Sequence, residues 1–333
     1  MDPLLITTIA ISFLATLIIL PMWISRAKSE GMVGKDMQKL NKPEVAEGGG
    51  ITVLFGIAIG ILFYIAVRTF YFNQTNGEIT RLFAILCSIL IASMVGVIDD
   101  LMGWKKGLSK RLRIFIVLFA AIPLMVINAG VSSMSIPFIG SIDFGIWYAL
   151  ILIPLGVIGA TTTYNFLAGF NGLEAGQGII ILSALTYVTY ITGNAWLSIV
   201  SLAMVASLCA FWIFNKYPSK IFPGDVLTYS VGVMIAAIAI LGNIEKIAVF
   251  FFIPYIIEFF LKLRGKLEIE SFGTLKPDGS LEAPHKKVYG LTHVAMKFLK
   301  KIKPSGKVYE QEVVLLIHLF QIAVIVAGIL IFL

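Results

Sequence analysis

The sequence predicts an all-α polytopic membrane protein of about ten transmembrane helices, and three observations predict it. Hydrophobic residues make up 58% of the 333 and charged residues 14%, against about 25% charged in a soluble domain. Mean hydropathy is +0.93. Ten apolar stretches approach the ~20 residues that cross a bilayer, and none shows period-2 alternation. Backbone in lipid must satisfy its own hydrogen bonds, which leaves helices.

The first stretch, 3–25, has no basic leader and no small-residue cleavage site, so it reads as a retained anchor. Stretches 50–68, 81–98, 113–129 and 146–164 follow. The next two, 178–193 and 195–214, read as a hairpin or as one kinked element. Stretches 225–242, 245–262 and 312–332 complete the ten. Cys87 and Cys209 lie inside apolar stretches without metal-ligand spacing, which reads as buried thiols and not a disulfide framework. No fixed-period repeat or linker is visible, so 1–333 reads as one integral domain, with the connection 263–311 as a subregion. In that connection "LEIESFGTLKPDGSLEAP" alternates around a Pro-Asp-Gly turn and predicts a small hairpin. "LTHVAMKFLKKIK" then places Leu291, Val294, Phe298 and Ile302 on one helical face. That pattern predicts an interfacial amphipathic helix; a soluble helix packed on the hairpin is the alternative.

Lysine and arginine fix an orientation. Of the 26, the odd-numbered loops and their flanks hold 23, and only Arg68, Arg81 and Lys246 fall on the other side. Positive charge stays cytoplasmic, so both termini point outward and the odd loops form a cytoplasmic face. The net charge of +7 is explained by topology and anionic membrane lipid. It does not call for nucleic acid.

Those loops hold more than lysines. Loop 1 contains "KPEVAEGGG", with Glu44; loop 3 begins "VIDDLMGWKKGLSKRLR", with Asp99 and Asp100. Loop 5 is "TYNFLAGFNGLEAGQG", with Asn165, Gly169, Asn171 and Gly172. Loop 7 is "FNKYPSKIFPGDVLTYS", with Phe222 and Asp225, and loop 9 holds "EAPHKKVYG", with His285, Lys286 and Lys287. Charge at membrane depth costs ~2.5–3.5 kcal/mol per residue on insertion scales, so it defaults to a functional hypothesis. Three aspartates at stretch ends on one face, with glycine turns and a His-Lys-Lys run, suit phosphate chemistry. Asp and Asn oxygens can share Mg²⁺ with substrate phosphates, and backbone N–H groups of glycine turns cradle phosphate. Lysine and histidine neutralise a diphosphate, and Phe222 offers a stacking face for a base. His293 and His318 have no evident partner in the pattern and read as structural.

"YNFLAGFNGLEAGQG", "FNKYPSKIFPGD", "VIDDLMG" and "KPEVAEGGG" together resemble the loops of the polyprenyl-phosphate N-acetylhexosamine-1-phosphate transferases (glycosyltransferase family 4). The nearer branch is the eukaryotic and archaeal one, whose members use UDP-GlcNAc and dolichyl phosphate; bacterial relatives typically show Asp-Gly-x-Asp-Gly-Leu where this chain has "AGFNGLEAG". The resemblance implies that GlcNAc-1-phosphate passes from UDP-GlcNAc to a polyprenyl (dolichyl) phosphate. UMP is released, in the first membrane step of lipid-linked glycan assembly for N-glycosylation. It implies Asn165 and Asp225 as Mg²⁺ ligands, with Mn²⁺ as the substitute ion. Asp99 and Asp100 match an aspartate pair whose role is open between base, nucleophile and lipid-phosphate positioning. Lys110 stands as the lipid-phosphate ligand, with Lys105 and Lys106 as alternatives. Phe222 matches the residue that stacks on uracil, Gly169, Asn171 and Gly172 the uridine cradle, and Glu44 the nucleotide-sugar site. Pro284-His285-Lys286 departs from the Arg-His-Arg of eukaryotic members, putting a point charge where a fork would grip sugar and diphosphate. The resemblance further implies an archaeal cell membrane and leaves room for a homodimer. Two rivals stand: a bacterial-type undecaprenyl-phosphate enzyme for cell-envelope polymers, and a secondary transporter of an anionic solute. A transporter would place its polar residues near the bilayer midplane on broken, repeated helices.

Overall fold

In the computed structural model the described residues are 3–74, 76–102, 107–136 and 140–333, without the side chains of Lys110, Ser135 and Ile136. Every predicted apolar stretch is helical, but the stretches are of two kinds. Six form helices long and apolar enough to cross a membrane. These are α1 (Pro3–Ser29), α2 (Gly50–Phe70), α3 (Gly77–Met102), α8 (Ala195–Asn215), α9 (Gly224–Gly242) and α13 (Glu310–Phe332). The other four are interrupted or polar. The fourth stretch is α4 (Lys110–Leu118), a 3₁₀ turn at Phe119–Ala121 and α5 (Ile122–Val126). In the fifth, a π turn at Tyr148–Leu152 leads into α6 (Ile153–Tyr164). The ninth splits into α10 (Glu245–Phe251) and α11 (Ile253–Arg264). Pro123, Pro154 and Pro254 stand in the first turn of the resumed helices, because proline lacks the N–H that an unbroken ladder needs yet fits a helix start. The sixth, α7 (Leu173–Ile191), is continuous but opens on buried Glu174 and Gln177. It is separate from α8, which settles the hairpin reading of 178–214.

Burial ranks the helices. The apolar window of α9 is 89% buried and those of α1 and α13 only 28%, so α9 is the central post and the first and last helices are peripheral. Close approach to α9 depends on small residues. A Cβ on Gly96 of α3 would lie 2.7 Å from the Asp225 backbone carbon, so only glycine lets α3 deliver Asp99 and Asp100 beside the start of α9.

Among the described residues, three two-stranded antiparallel pieces join the helices. β1 (Val33–Lys35) pairs with β2 (Glu44–Ala46), Lys35 opposite Glu44. β2 also ties loop 1 to loop 7: the Phe222 N–H donates to the Ala46 carbonyl (2.8 Å) and the Gly49 N–H to the Phe222 carbonyl (3.0 Å). β3 (Ser133–Ile136) and β4 (Gly140–Asp143) form a hairpin that the sequence pattern did not suggest. β5 (Thr274–Leu275) and β6 (Leu281–Glu282) form the expected one, its turn closed by Lys276 N–H to Ser280 carbonyl (2.9 Å). The amphipathic helix is α12 (Leu291–Ile302), and the predicted apolar face divides: Leu291 is buried with Thr292, His293, Ala295 and Met296, while Val294, Phe298 and Ile302 are exposed.

Candidate active site

Four elements meet at the start of α9. Asp100, at the end of α3, accepts the Asp225 N–H at 2.9 Å and the Val226 N–H at 3.5 Å. Its carboxylate therefore caps the first turn of α9, where unpaired N–H groups and the helix dipole favour negative charge. Gly224 has φ +69° and presses on that carboxylate, so a side chain there would collide with it. Asp99 accepts the Leu108 N–H (2.6 Å) and the Arg113 Nη2 (2.5 Å). Arg113, from the first turn of α4, reaches with Nη1 to 3.6 Å from Asp225 Oδ2. Asp225 Oδ1 accepts Asn165 Nδ2 at 3.1 Å, and Thr228 Oγ1 donates to Asn165 Oδ1 at 3.1 Å. The structure thus brings Asp99, Asp100, Asn165 and Asp225 together, with Arg113 as a cation that sequence reasoning missed. Its signal was present, a basic residue in the loop after the aspartate pair, but it was absorbed into the topology count. The side chain of Lys110, and residues Lys105 and Lys106, lie outside the described residues.

A divalent cation fits this donor set. Asp225 Oδ2 is buried without a hydrogen-bond partner, its one near charge being Arg113 Nη1 at 3.6 Å, which leaves the oxygen a lone pair that a cation would satisfy. Asn165 turns Nδ2 to Asp225 here, and a half-turn of the amide would place two hard oxygens side by side. Among the described residues no group of three or more His, Cys, Asp or Glu could hold a metal. Asn165 and Asp225 would thus give a divalent ion a partial shell, the kind that Mg²⁺ completes with water and substrate phosphate.

A second group adjoins it. A Cβ on Gly34 would lie 3.3 Å from the Phe222 ring and would strike the Glu47 carboxylate, so the three are neighbours. Glu47 is half-buried; burial raises its carboxyl above the usual range, and it lies within electrostatic reach of Asp100. Glu44, the sequence candidate, is instead exposed on β2.

Loop 5 is fastened from below. The Asn171 side chain is buried and donates Nδ2 to Asp36 Oδ2 (2.9 Å), while its N–H donates to Glu310 Oε1 (2.7 Å). Lys39 pairs with both Asp36 (3.2 Å) and Glu310, and its Nζ lies 4.1 Å from the Tyr217 ring centre. Gln38 Nε2 donates to the exposed Gly169 carbonyl (3.1 Å), and the Gly169 N–H to Glu174 Oε1 (2.8 Å). Gly169 (φ +102°) faces the Phe272 ring. Gly172 (φ +81°) caps α7 in the left-handed region, its open side towards Trp212 and Lys216.

His285 and Lys286 are exposed and line a cavity with Glu282, Lys297 and Lys300. Lys297 Nζ donates to the Lys286 carbonyl, and the His285 ring lies 6.2 Å from that of His293. No described contact joins these two residues to the aspartate cluster. A larger apolar cavity, about 420 Å³, runs between α6, α9, α10 and α11. It is lined from Thr163, two residues before Asn165, along Gly159, Gly156 and Leu152 to a hydrogen-bonded Tyr148–Glu245 pair.

Residues 82–243 match the model of glycosyl transferase family 4. A protein of Saccharolobus solfataricus is 38% identical over 315 residues, 93% of this chain and 91% of its own length. One of Sulfolobus acidocaldarius is 34% identical, over 94% of this chain and 92% of its own length. Both carry the provisional name UDP-N-acetylglucosamine–dolichyl-phosphate N-acetylglucosaminephosphotransferase. A Dictyostelium discoideum protein of the same name, without the qualifier, is 27% identical over 74% of this chain and 68% of its own length. The chain belongs to glycosyl transferase family 4.

Proposed function

We propose that this protein transfers N-acetylglucosamine-1-phosphate from UDP-N-acetylglucosamine to dolichyl or a related polyprenyl phosphate, releasing UMP. The substrates follow from the names of relatives that align over nearly their whole length. The geometric observation that carries the reading is a junction: the Asn165–Asp225 pair stands two residues from Thr163, where an apolar groove begins. A phosphate headgroup would sit at the polar end and its isoprenoid tail in the groove. Leu152 to Thr163 covers about 16 Å at 1.5 Å per residue, enough for the first few isoprene units.

An oxygen of the lipid phosphate attacks the β-phosphorus of UDP-GlcNAc. The new P–O bond forms as the bond to the UMP oxygen breaks, and UMP leaves with the electron pair. Mg²⁺ bound at Asp225 and Asn165 would neutralise the diphosphate. The acceptor needs little help to deprotonate, since a phosphate monoester's second pKa is about 6. Asp99 and Asp100 already accept hydrogen bonds from Arg113 and from the start of α9, an arrangement that supports positioning over covalent attack. Arg113 holds its fork between Asp99 and Asp225, where it can take the acceptor phosphate in place of, or alongside, Lys110. Phe222 and Glu47 flank the nucleotide-sugar side, and His285 with Lys286 closes over the sugar diphosphate.

The distribution of lysine and arginine supports an orientation with termini outward and the site facing the cytoplasm, and the ten apolar stretches support ten spans in one domain; the archaeal sources of two similar proteins support an archaeal membrane. A transporter has no support from the family, and an undecaprenyl acceptor differs only in the tail. The test is purified protein with Mg²⁺, dolichyl or undecaprenyl phosphate, and a panel of UDP-sugars, scored by UMP release. UMP from UDP-GlcNAc only when lipid phosphate is present, without a phosphosugar adduct in lipid-free samples, is expected. Lipid-independent UMP release with an adduct would overturn direct attack, and no release with any lipid would overturn the reading.

A further inference from the structure

The proposed reaction leaves one surface unused, the outer side of α12. At 100° per residue, Val294, Phe298 and Ile302 occupy an arc of roughly 80°, and all three are exposed, Phe298 by 51% and Ile302 by 60%. Lys301 and Lys297 line one flank of that arc, while Thr292, His293, Ala295 and Met296 fill the opposite side against the rest of the chain. A helix with only a water-facing outer side would not keep an apolar row there.

Both ends of α12 are tied to helices of the predicted apolar stretches, α11 and the candidate span α13. Its first N–H, on Leu291, donates to Glu258 Oε2 of α11 at 2.5 Å, and Glu258 is fully buried. At the other end Lys303 pairs with Glu312 in the first turn of α13 at 2.6 Å, its Nζ 5.3 Å from the Tyr309 ring centre. A 12-residue helix is about 18 Å long, so α12 is strung between one helix that ends at Arg264 and one that begins at Glu310. If α13 crosses the bilayer from Glu310 onward, α12 lies beside the end of that span, where headgroups would be. The helices it is tied to expose apolar residues close to the same ends, Phe260 and Leu263 on α11 and Leu315 on α13. The surrounding charge is one-sided: residues 262–307 contain 11 Lys and Arg against 4 Asp and Glu.

We propose that α12 docks on the leaflet around it and recognises anionic phospholipid headgroups. Val294, Phe298 and Ile302 enter the acyl boundary while Lys297 and Lys301 meet the phosphates. Hydrophobic insertion and lysine attraction act together in such binding, so neutral lipid should hold the helix less deeply. Lys297 also grips the Lys286 carbonyl, which gives membrane charge a physical route to the His285–Lys286 cavity. The inference rests on the membrane reading of the chain and not on the reaction.

The test uses full-length protein with Cys87, which is exposed and not buried as its stretch suggested, and the half-buried Cys209 both replaced by Ala, reconstituted in nanodiscs and nitroxide-labelled at Phe298→Cys. Leu319→Cys on the exposed side of α13 is the lipid reference, and Pro277→Cys at the hairpin tip is the water reference. In discs with phosphatidylglycerol, the oxygen-to-nickel-chelate accessibility ratio at 298 should approach the lipid reference. In pure phosphatidylcholine, or with Lys297→Gln and Lys301→Gln, it should fall severalfold, as expected where each lysine near the surface changes binding about fivefold. A label that matches Pro277→Cys in both lipids overturns docking. Equal depth in both lipids overturns recognition of charge. A label that is dry in detergent while the protein runs as a dimer assigns the face to a second copy and also overturns the proposal. None of these readouts involves UDP-sugar turnover, so failure of the transferase reading would show separately, in UMP release.

Discussion

Lys39→Met should loosen nucleotide binding without touching the acceptor. Lys39 is 15% exposed and pairs with Asp36 and Glu310, whose side chains are 6% and 3% exposed. Both carboxylates also hold Asn171, one through its side chain and one through its N–H. Removing the ammonium leaves two buried carboxylates facing each other, and breaking a buried pair this way costs ~3–5 kcal/mol. Residual exposure of Lys39 lets water relieve part of that, so about 3 kcal/mol is the working figure. The cost falls on the joint between loop 5 and α13. If binding needs loop 5 closed, up to about a hundredfold of UDP affinity is lost, since each tenfold is about 1.4 kcal/mol. Calorimetry of UDP binding gives the affinity, and steady-state kinetics should show a raised KM for UDP-GlcNAc with the lipid-phosphate KM within about twofold. Lys39→Arg should recover most of the loss, and adding Glu310→Gln to Lys39→Met should recover part, because it removes one orphaned charge. A Lys39→Met protein that melts earlier yet binds UDP like wild type would refute the reasoning, making the network structural and loop 5 no nucleotide cradle.

Two further predictions concern charge. Asp225→Asn keeps the size of the side chain but removes the charge at the proposed metal site. It should lower kcat by at least about 10²-fold and abolish the Mg²⁺ dependence of UDP binding in calorimetry; Mg²⁺-dependent binding in the mutant would remove the metal assignment. His293 is fully buried, and burial first, then the nearby charges of Lys262, His285 and Lys297, lowers its pKa to about 4 from the ordinary 6.5. A depressed histidine contributes stability that is intact above pH 6.5 and lost as pH falls towards 4, about 3 kcal/mol in the limit. Melting between pH 7.5 and 4.5 should therefore drop less steeply for His293→Phe than for wild type, and parallel curves would show that His293 does not titrate in that window.

How far the sequence could be read depended on how local each feature is. Apolar stretches announce themselves because hydrophobicity is a property of each segment alone, so every predicted stretch is helical; that only six are long and apolar enough to cross a membrane depends on the breaks within the others. Glu44 and Glu47 lie three residues apart in "PEVAEGGG", and only the strand and the packing of Gly34 and Phe222 decide which faces inward. Arg113 joins the aspartates only through the packing of α3, α4 and α9. Asn171 looked free to hold a ligand because Asp36 and Glu310, which hold it, are remote in sequence. Glycine shows the same limit: the sequence marks where backbone must be free but not what the glycine faces. Gly172 and Gly193 make this measurable, because they adopt nearly the same left-handed φ, +81° and +84°. Valine is strained equally at both, so strain cancels in the comparison. What remains is that a Cβ at Gly172 meets Trp212 at 3.1 Å and the Lys216 backbone at 3.3 Å, whereas Gly193 opens on empty space. Gly172→Val should therefore displace the Asn171–Gly172 turn, raising the KM for UDP-GlcNAc or abolishing UDP binding, with polyprenyl-phosphate affinity nearly intact. Gly193→Val should bind UDP as wild type does after a similar fall in melting temperature. If calorimetry finds UDP bound equally by the two valine variants, the turn is a connection between helices and the nucleotide is held elsewhere.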